Sequence, residues 1–313
     1  TARERREVVI KRSYDMAKTT VVYKSNQVVV NRNRKMAFCF LLPNIIGFAV
    51  FTLIPAVWAI GLSFTNWDGS GAAKFVGIKN YINLFRDSNF TISLWNTIIY
   101  TVGTVPFIIM LSLVMAFILD SGIKFSSAIR AAHFFPHISS IVAISVVWQF
   151  LYSKNGPLNQ ILHSIGLQNV PAWLSDKDWA LLAVMIMIIW KGIGYYMIIY
   201  LAGLKGIDNS LYEAATVDGA NSFQCFRFIT IPQLKPVTFY ITIMCIINSF
   251  QVFTPIFIMT KGGPGRATSV LVLQIYKEAF QNYKFGYASA EAMILFACIL
   301  VVTLIQFKRQ KQD

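Results

Sequence analysis

The sequence predicts an all-α membrane protein of about six transmembrane helices, with a short cytoplasmic helix in the loop before the fifth. Three observations carry this reading. The 313-residue chain is 56% hydrophobic and has a mean hydropathy of +0.56. Only 13% of its residues are charged, against about 25% in a soluble domain. Six apolar runs have the length, about 20 residues, that the hydrocarbon core of a bilayer demands.

The first run is Phe38–Phe64, broken by Pro43 and Pro55; the second covers roughly Leu94–Leu119 and the third roughly Ile129–Tyr152. The fourth is Trp179–Leu204, the fifth Val237–Met259 and the sixth about Tyr287–Phe307. Six crossings put both ends on one side, and the basic residues select that side. With the termini inside, inner segments hold 18 Lys and Arg and outer loops nine, leaving Lys191 within the fourth run. The excess predicts cytoplasmic termini in a multi-pass membrane protein. The expected organisation is a basic cytoplasmic tail over Thr1–Ala37, a membrane domain over Phe38–Lys308 with a cytoplasmic loop Lys205–Lys235, and a short tail Arg309–Asp313. The N-terminal tail mixes charges with short apolar patches, and both a headgroup-level helix and a disordered arm are open to it. It does not read as a signal peptide, because its apolar run begins only near Phe38.

The net charge of +14 lies mainly in the tail and the loops. That is a topology signal and not a nucleic-acid face. The outer connections NWDGSG (Asn66–Gly71), SKNGP (Ser153–Pro157) and KGGPG (Lys261–Gly265) are turn sequences. KGGPG lacks the Gly-Lys-Ser/Thr ending of a phosphate loop. None is long enough to form a globular domain, so capture of a substrate outside falls to another protein. Cys39, Cys225, Cys245 and Cys298 have neither metal nor disulfide spacing and read as small buried hydrophobes. His133 and His137 are four apart but have Pro136 between them and no acid nearby, so no metal is expected. No nucleophile–base set, carboxylate pair or nucleotide loop is visible. The chain is therefore expected to be non-catalytic and to bind no cofactor.

The segment EAATVDGANSFQCFRFITIP, Glu213–Pro232, is too polar to cross a membrane. It reads as a short helix, a break and a second helix. Asn209 or Ser210 can cap the first, with Glu213 in its first turn. Gly219 breaks the segment, Ser222 can cap the second helix, and Pro232 ends it. Leu211, Ala214 and Ala215 form an apolar side expected to lie against the membrane domain.

Glu213-Ala214-Ala215, three residues, Gly219, nine residues, then Ile229-Thr230-Ile231-Pro232 resembles the E-A-A loop of ABC importer permeases. That family's pattern ends in Ile-x-Leu-Pro, so the chain departs from it at Ile231. Arg130–Gln160, Trp190–Ala215 and Asn248–Pro264 are similar to the carbohydrate branch, above all to the larger permease of the maltose importer without its large external domain. The resemblance covers roughly Phe38–Lys308. It implies a second homologous permease, two cytoplasmic ATPase subunits that carry the ATP and Mg, and an extracytoplasmic solute-binding protein that delivers an oligosaccharide. It makes Glu213, Ala214, Ala215, Asp218, Gly219, Ile229 and Pro232 the coupling loop to the ATPase.

A substrate path is sought where polar groups interrupt the apolar runs. Lys191 lies near mid-depth in the fourth run, flanked by Trp190, Gly192, Tyr195 and Tyr196. Aromatic faces stack on sugar rings, and glycine admits a ligand to the backbone. A cation there suggests an acidic sugar such as an alginate or other uronate oligomer; glycerol-phosphate compounds and neutral oligosaccharides stay open, as does a purely structural role for Lys191. In the fifth run Asn248 and Gln251 share a face, with Ser249 beside them. An ion-coupled secondary transporter is the alternative from another class. It needs an internal acid, and Glu291 near the start of the sixth run is the one to consider.

Overall fold

A computed structural model describes residue 36 and residues 38–310. The basic tail over 1–37, residue 36 apart, and residues 311–313 lie outside the described residues. Among the described residues the chain is helical without named strands; Thr65 and Phe75 form an isolated bridge. Five helices are long and apolar enough to cross a membrane, and a bent pair makes the sixth candidate span. The fold class is therefore the one that the composition predicts.

The first span, α1 (Phe38–Leu62), has a mean hydropathy of 2.3. Pro43 and Pro55 do not break it. Pro55 follows a π-helical turn, Ala49–Leu53, whose wider hydrogen-bond ring accommodates the missing N–H. A short helix, α2 (Lys79–Leu84), precedes the second span, α3 (Ser88–Asp120). That span starts six residues before its apolar run because the Asp87 carboxylate accepts the Asn89 N–H and caps it.

The third run is not one helix. Its two halves, α4 (Ser126–Ile138) and α5 (Ile141–Leu151), meet at 100° across Ser139 and Ser140. The outer connection that comes next holds α6 (Pro157–Ser164). The fourth span is α7 (Ala180–Lys205). Beyond it come α8 (Asn209–Val217) and α9 (Ser222–Cys225), the latter running on through a π turn, Phe226–Thr230, and a last turn, Ile231–Gln233. The fifth span is α10 (Lys235–Phe250) followed by α11 (Thr254–Met259), with a break at Gln251–Phe253. After α12 (Leu271–Tyr276) the sixth span, α13 (Phe285–Gln310), closes the described chain.

The centre of residues 60–310 is the pair α3 and α7, the most extensive helix–helix contact in the protein. Tyr100, Val184, Met187 and Met197 are buried between these helices and their neighbours. Gly194 brings α7 onto the backbone of α4, and a Cβ at this position would overlap the His133 carbonyl. Gly194→Ala is expected to destabilise the protein by about 1–3 kcal/mol, since a backbone atom yields less readily than a side chain. Thermal unfolding in detergent checks this, with Gly61→Ala as a control where the added Cβ meets nothing within 4 Å.

The segment between α11 and α13 is more than a turn. Leu271 and Leu273 are buried, and α3 presents a polar face to this segment. Ser93 Oγ lies 2.9 Å from Ser269 Oγ, Asn96 Nδ2 donates to the Arg266 and Ser269 carbonyls, and the Leu271 N–H donates to Thr97 Oγ1 at 2.8 Å. Buried Ser93, Asn96 and Thr97 thus find partners across this contact. Of the four cysteines only Cys245 is buried. Cys39 is exposed and Cys298 half-buried, because outward-facing apolar positions of a span need no protein neighbour; Cys225, in α9, is half-buried too.

Candidate functional site

The polar residues of the fourth and fifth runs converge on a cavity of about 410 Å³. Lys191, Gly192 and Tyr196 line it from α7; Asn248, Ser249 and Gln251 line it from α10 and the break behind it. Trp190 and Tyr195 do not. Trp190 turns toward Trp148, with ring centroids 5.4 Å apart, and Tyr195 is covered by the His137 ring at 4.2 Å and 11°. Asn248 Nδ2 reaches the Tyr196 hydroxyl at 3.4 Å. Ser249 is buried and lies 3.2 Å from Thr104 Oγ1, so it serves helix packing as well as the wall.

Both broken spans open onto this cavity. His137 and Ile141 line it from the two sides of the α4–α5 break; Val252, Phe253 and Thr254 line it from the α10–α11 break. Irregular backbone at membrane depth is tolerated where it borders a cavity. Half-helix ends at membrane depth supply dipoles and backbone carbonyls to which polar groups bind.

Lys191 has a defined partner set. Its ammonium donates to the carbonyls of Pro136 at 2.6 Å, His137 at 2.9 Å and Ser139 at 3.3 Å. These carbonyls lie at the C-terminal end of α4, where helical acceptors lack intrahelical donors. All three ammonium protons are used. Of the two roles left open for Lys191, this geometry supports the structural one. His133 Nδ1 bonds the Ile129 carbonyl at 3.0 Å, and among the described residues no group of three His, Cys, Asp or Glu could hold a metal.

Among the cavity residues that escaped the sequence reading are Tyr100 and Thr254. Tyr100 is wholly buried, with its hydroxyl unpartnered, and Thr254 begins α11. A signal for the first was present: Ser93, Asn96, Thr97, Tyr100, Thr101 and Thr104 repeat at helical spacing, a polar stripe in an apolar helix.

A second candidate surface lies beyond the end of α7, over residues 206–234. Lys205 and Asp120 form a 2.7 Å ion pair at its base. The cap of α8 is Asp208, not Asn209 or Ser210; its carboxylate accepts the Ser210 N–H at 3.0 Å, which holds its pKa below the usual carboxylate value. The helix thus starts one residue early, and Glu213 falls beyond its first turn. Gly219 does end the helix. Its φ of +78° and the bonds Gly219 N–H to Thr216 O and Ala220 N–H to Ala215 O make a Schellman motif, with Asp218 as the C-cap. Asn221, not Ser222, caps α9, in a capping box with Gln224. Asn221→Ala is expected to cost about 1 kcal/mol locally and to show as faster amide exchange over 222–230. Pro232 does not end the segment. It sits in the first turn of Ile231–Gln233, where its absent N–H is not needed, and helix resumes at Lys235.

The apolar side of α8 also differs from expectation. Leu211 and Ala214 are exposed and Ala215 is half-buried. The inward contact is made by Tyr212, whose hydroxyl lies 2.9 Å from Thr230 Oγ1. A polar anchor holds the helix in place and leaves its aliphatic face uncovered. Val217, at the end of the same helix, is 87% exposed, and in the following segment Phe223 and Phe228 are both more than 70% exposed. Glu213 is exposed with no side-chain partner among the described residues; Ile229 is half-buried and Pro232 exposed.

Residues 85–308 match the family model for the inner membrane component of binding-protein-dependent transport systems. The lactose transport system permease protein LacF of Rhizobium radiobacter is 37% identical over 86% of this chain and 91% of its own length. The multiple sugar-binding transport system permease protein MsmF of Streptococcus mutans is 32% identical over 90% of this chain and 97% of its own. A chain in the crystal structure of a bacterial ABC transporter involved in the import of the acidic polysaccharide alginate superposes with a TM-score of 0.78 at 25% identity, covering 90% of this chain and 96% of that one. Matching helices, a matching family model and relatives aligned nearly end to end agree: the chain belongs to the family of inner membrane components of binding-protein-dependent transport systems.

Proposed function

We propose that this chain is the non-catalytic translocating subunit of an ATP-driven sugar importer. It pairs with a second, similar permease, receives its substrate from an extracytoplasmic solute-binding protein, and is driven by two cytoplasmic ATPase subunits that carry the ATP and Mg. The observation that supports this best is the separation of two surfaces on one chain. A cavity lies where two spans break, and beyond the far end of α7 stands a small helix with an unpaired acid and an uncovered aliphatic face. The first suits a polar solute and the second a protein partner. The positive-inside excess supports a cytoplasmic position for the second, and for both termini.

The substrate class is inferred from the relatives' names, which speak of lactose, multiple sugars and alginate. Tyr196, Asn248 and Gln251 bring hydroxyl and amide groups suited to sugar hydroxyls. An acidic oligosaccharide is supported by the alginate neighbour and not by Lys191, whose protons are committed to backbone.

One observation favours a second reading, an ion-coupled transporter. Glu291 in α13 is wholly buried, and neither carboxylate oxygen has a hydrogen-bond partner. Co-expression with the chromosomal neighbours and purification in mild detergent separates the two. Co-purification of an ATPase and a second permease, with sugar uptake into liposomes that requires ATP, is the expected result. Uptake by the chain alone, without ATP and driven by an ion gradient, overturns the importer reading.

A further inference from the structure

SKNGP and KGGPG, far apart in the sequence, meet on one recess of about 1160 Å³ lined by Ser153, Lys154, Asn155, Gly263 and Pro264 among others. Trp179, at the N-terminal end of α7, also lines it, so the recess lies at the opposite end of that helix from the Asp208–Leu234 loop. Two elements lead to it from the inner cavity. Helix α5 begins with Ile141 on the cavity and brings Gln149 to the recess, about 12 Å further along at 1.5 Å per residue. Helix α11 begins with Thr254 on the cavity and ends with Met259 on the recess. The two helices pack side by side, and Gln149 Nε2 donates to the Met259 carbonyl.

The recess has saccharide-binding chemistry. The side chains of Lys154, His163, Gln168 and Asn169 are exposed and have no hydrogen-bond or ion-pair partner among the described residues. Their amides and ammonium supply donors and acceptors at ranges that suit hydroxyls. Trp179 offers an aromatic face at 37% exposure. No Asp or Glu lines the recess itself.

We propose that this recess is an outer saccharide subsite. It holds the units of an oligosaccharide that extend beyond the inner cavity, with α5 and α11 as the walls that join the two. The proposal rests on the sugar-importer reading and adds a length preference to it.

The test uses the assembled importer in lipid nanodiscs, titrated calorimetrically with alginate oligomers and with malto-oligosaccharides of two to six units. The wild type is expected to tighten by about tenfold between two and five units in one of the two series, the equivalent of one good contact set. Lys154→Ala with Asn169→Ala removes contacts, and Asn169→Trp fills the recess; each is expected to flatten that rise. Both positions are exposed loop residues, so folding is not at issue. An unaltered rise in both variants overturns the subsite. So does an equal loss at every length, or unchanged sugar binding with reduced stimulation by the binding protein, which makes the recess a protein-docking face. Binding of neither series to the wild type overturns the saccharide reading itself, and the subsite with it.

Discussion

Lys191→Met is expected to abolish transport of acidic and neutral oligosaccharides alike and to destabilise the protein by about 3 kcal/mol. The ammonium is the donor for three carbonyls at the end of α4, and each acceptor left without a partner away from water costs about 1–3 kcal/mol. The sum stays near the lower bound because the site is only half-buried and borders a cavity that admits water. The cation also faces the negative end of a helix dipole. Its loss frees the 100° corner between α4 and α5, and with it the wall formed by His137 and Ile141. Lys191→Arg keeps the charge but presents a planar fork where three divergent donors are needed, so partial recovery is expected. Thermal unfolding of the purified complex and uptake of one acidic and one neutral oligomer provide the readout. A variant as stable as the wild type that loses only the acidic substrate would reverse the assignment and make Lys191 a selectivity residue.

Span number was legible in the sequence because hydropathy sums over about 20 residues, and five of the six runs return as helices at nearly the expected places. The corner at Ser139–Ser140 was not, because the same averaging erases two hydroxyl residues among Ile, Val and Phe. The cavity was legible in part. Asn248, Ser249, Gln251, Lys191, Gly192 and Tyr196 meet there, since polar groups inside an apolar run must face something other than lipid. Helical spacing alone cannot tell that Tyr195 is capped by His137, nor that the Lys191 protons are already taken, because both partners lie on another helix. Around the 206–234 loop the elements were legible to within one residue. The cap fell to Asp208 where Asn209 or Ser210 was expected, and α8 turned Tyr212 inward instead of its aliphatic side because one hydroxyl pair with Thr230 fixes its rotation.

The exposed face that results sets the second large effect. Val217→Asp is expected to weaken attachment of the ATPase by about 2–4 kcal/mol, some 30- to 800-fold, and to uncouple sugar-stimulated ATP hydrolysis. Leu211, Ala214 and Val217 are spaced three apart on α8 and all are exposed. If a partner covers this patch, a carboxylate at its centre is buried without a counter-charge, which costs about that much. The chain's own fold should not notice, because Val217 is 87% exposed and touches no core cluster. Glu213→Ala is expected to act more mildly, about tenfold, by removing an unpaired charge that can meet a basic group of the partner. Gly219→Ala separates shape from contact. It adds no charge and meets nothing within 4 Å, but it places a side chain at a φ of +78°, with a strain of about 1–2 kcal/mol. Co-purification ratios and stimulated turnover rank the three variants, with Val217→Asp the most severe. Wild-type levels of bound ATPase and of stimulated turnover in Val217→Asp would mean that the exposed face of α8 meets no motor, and the coupling role would have to leave this loop.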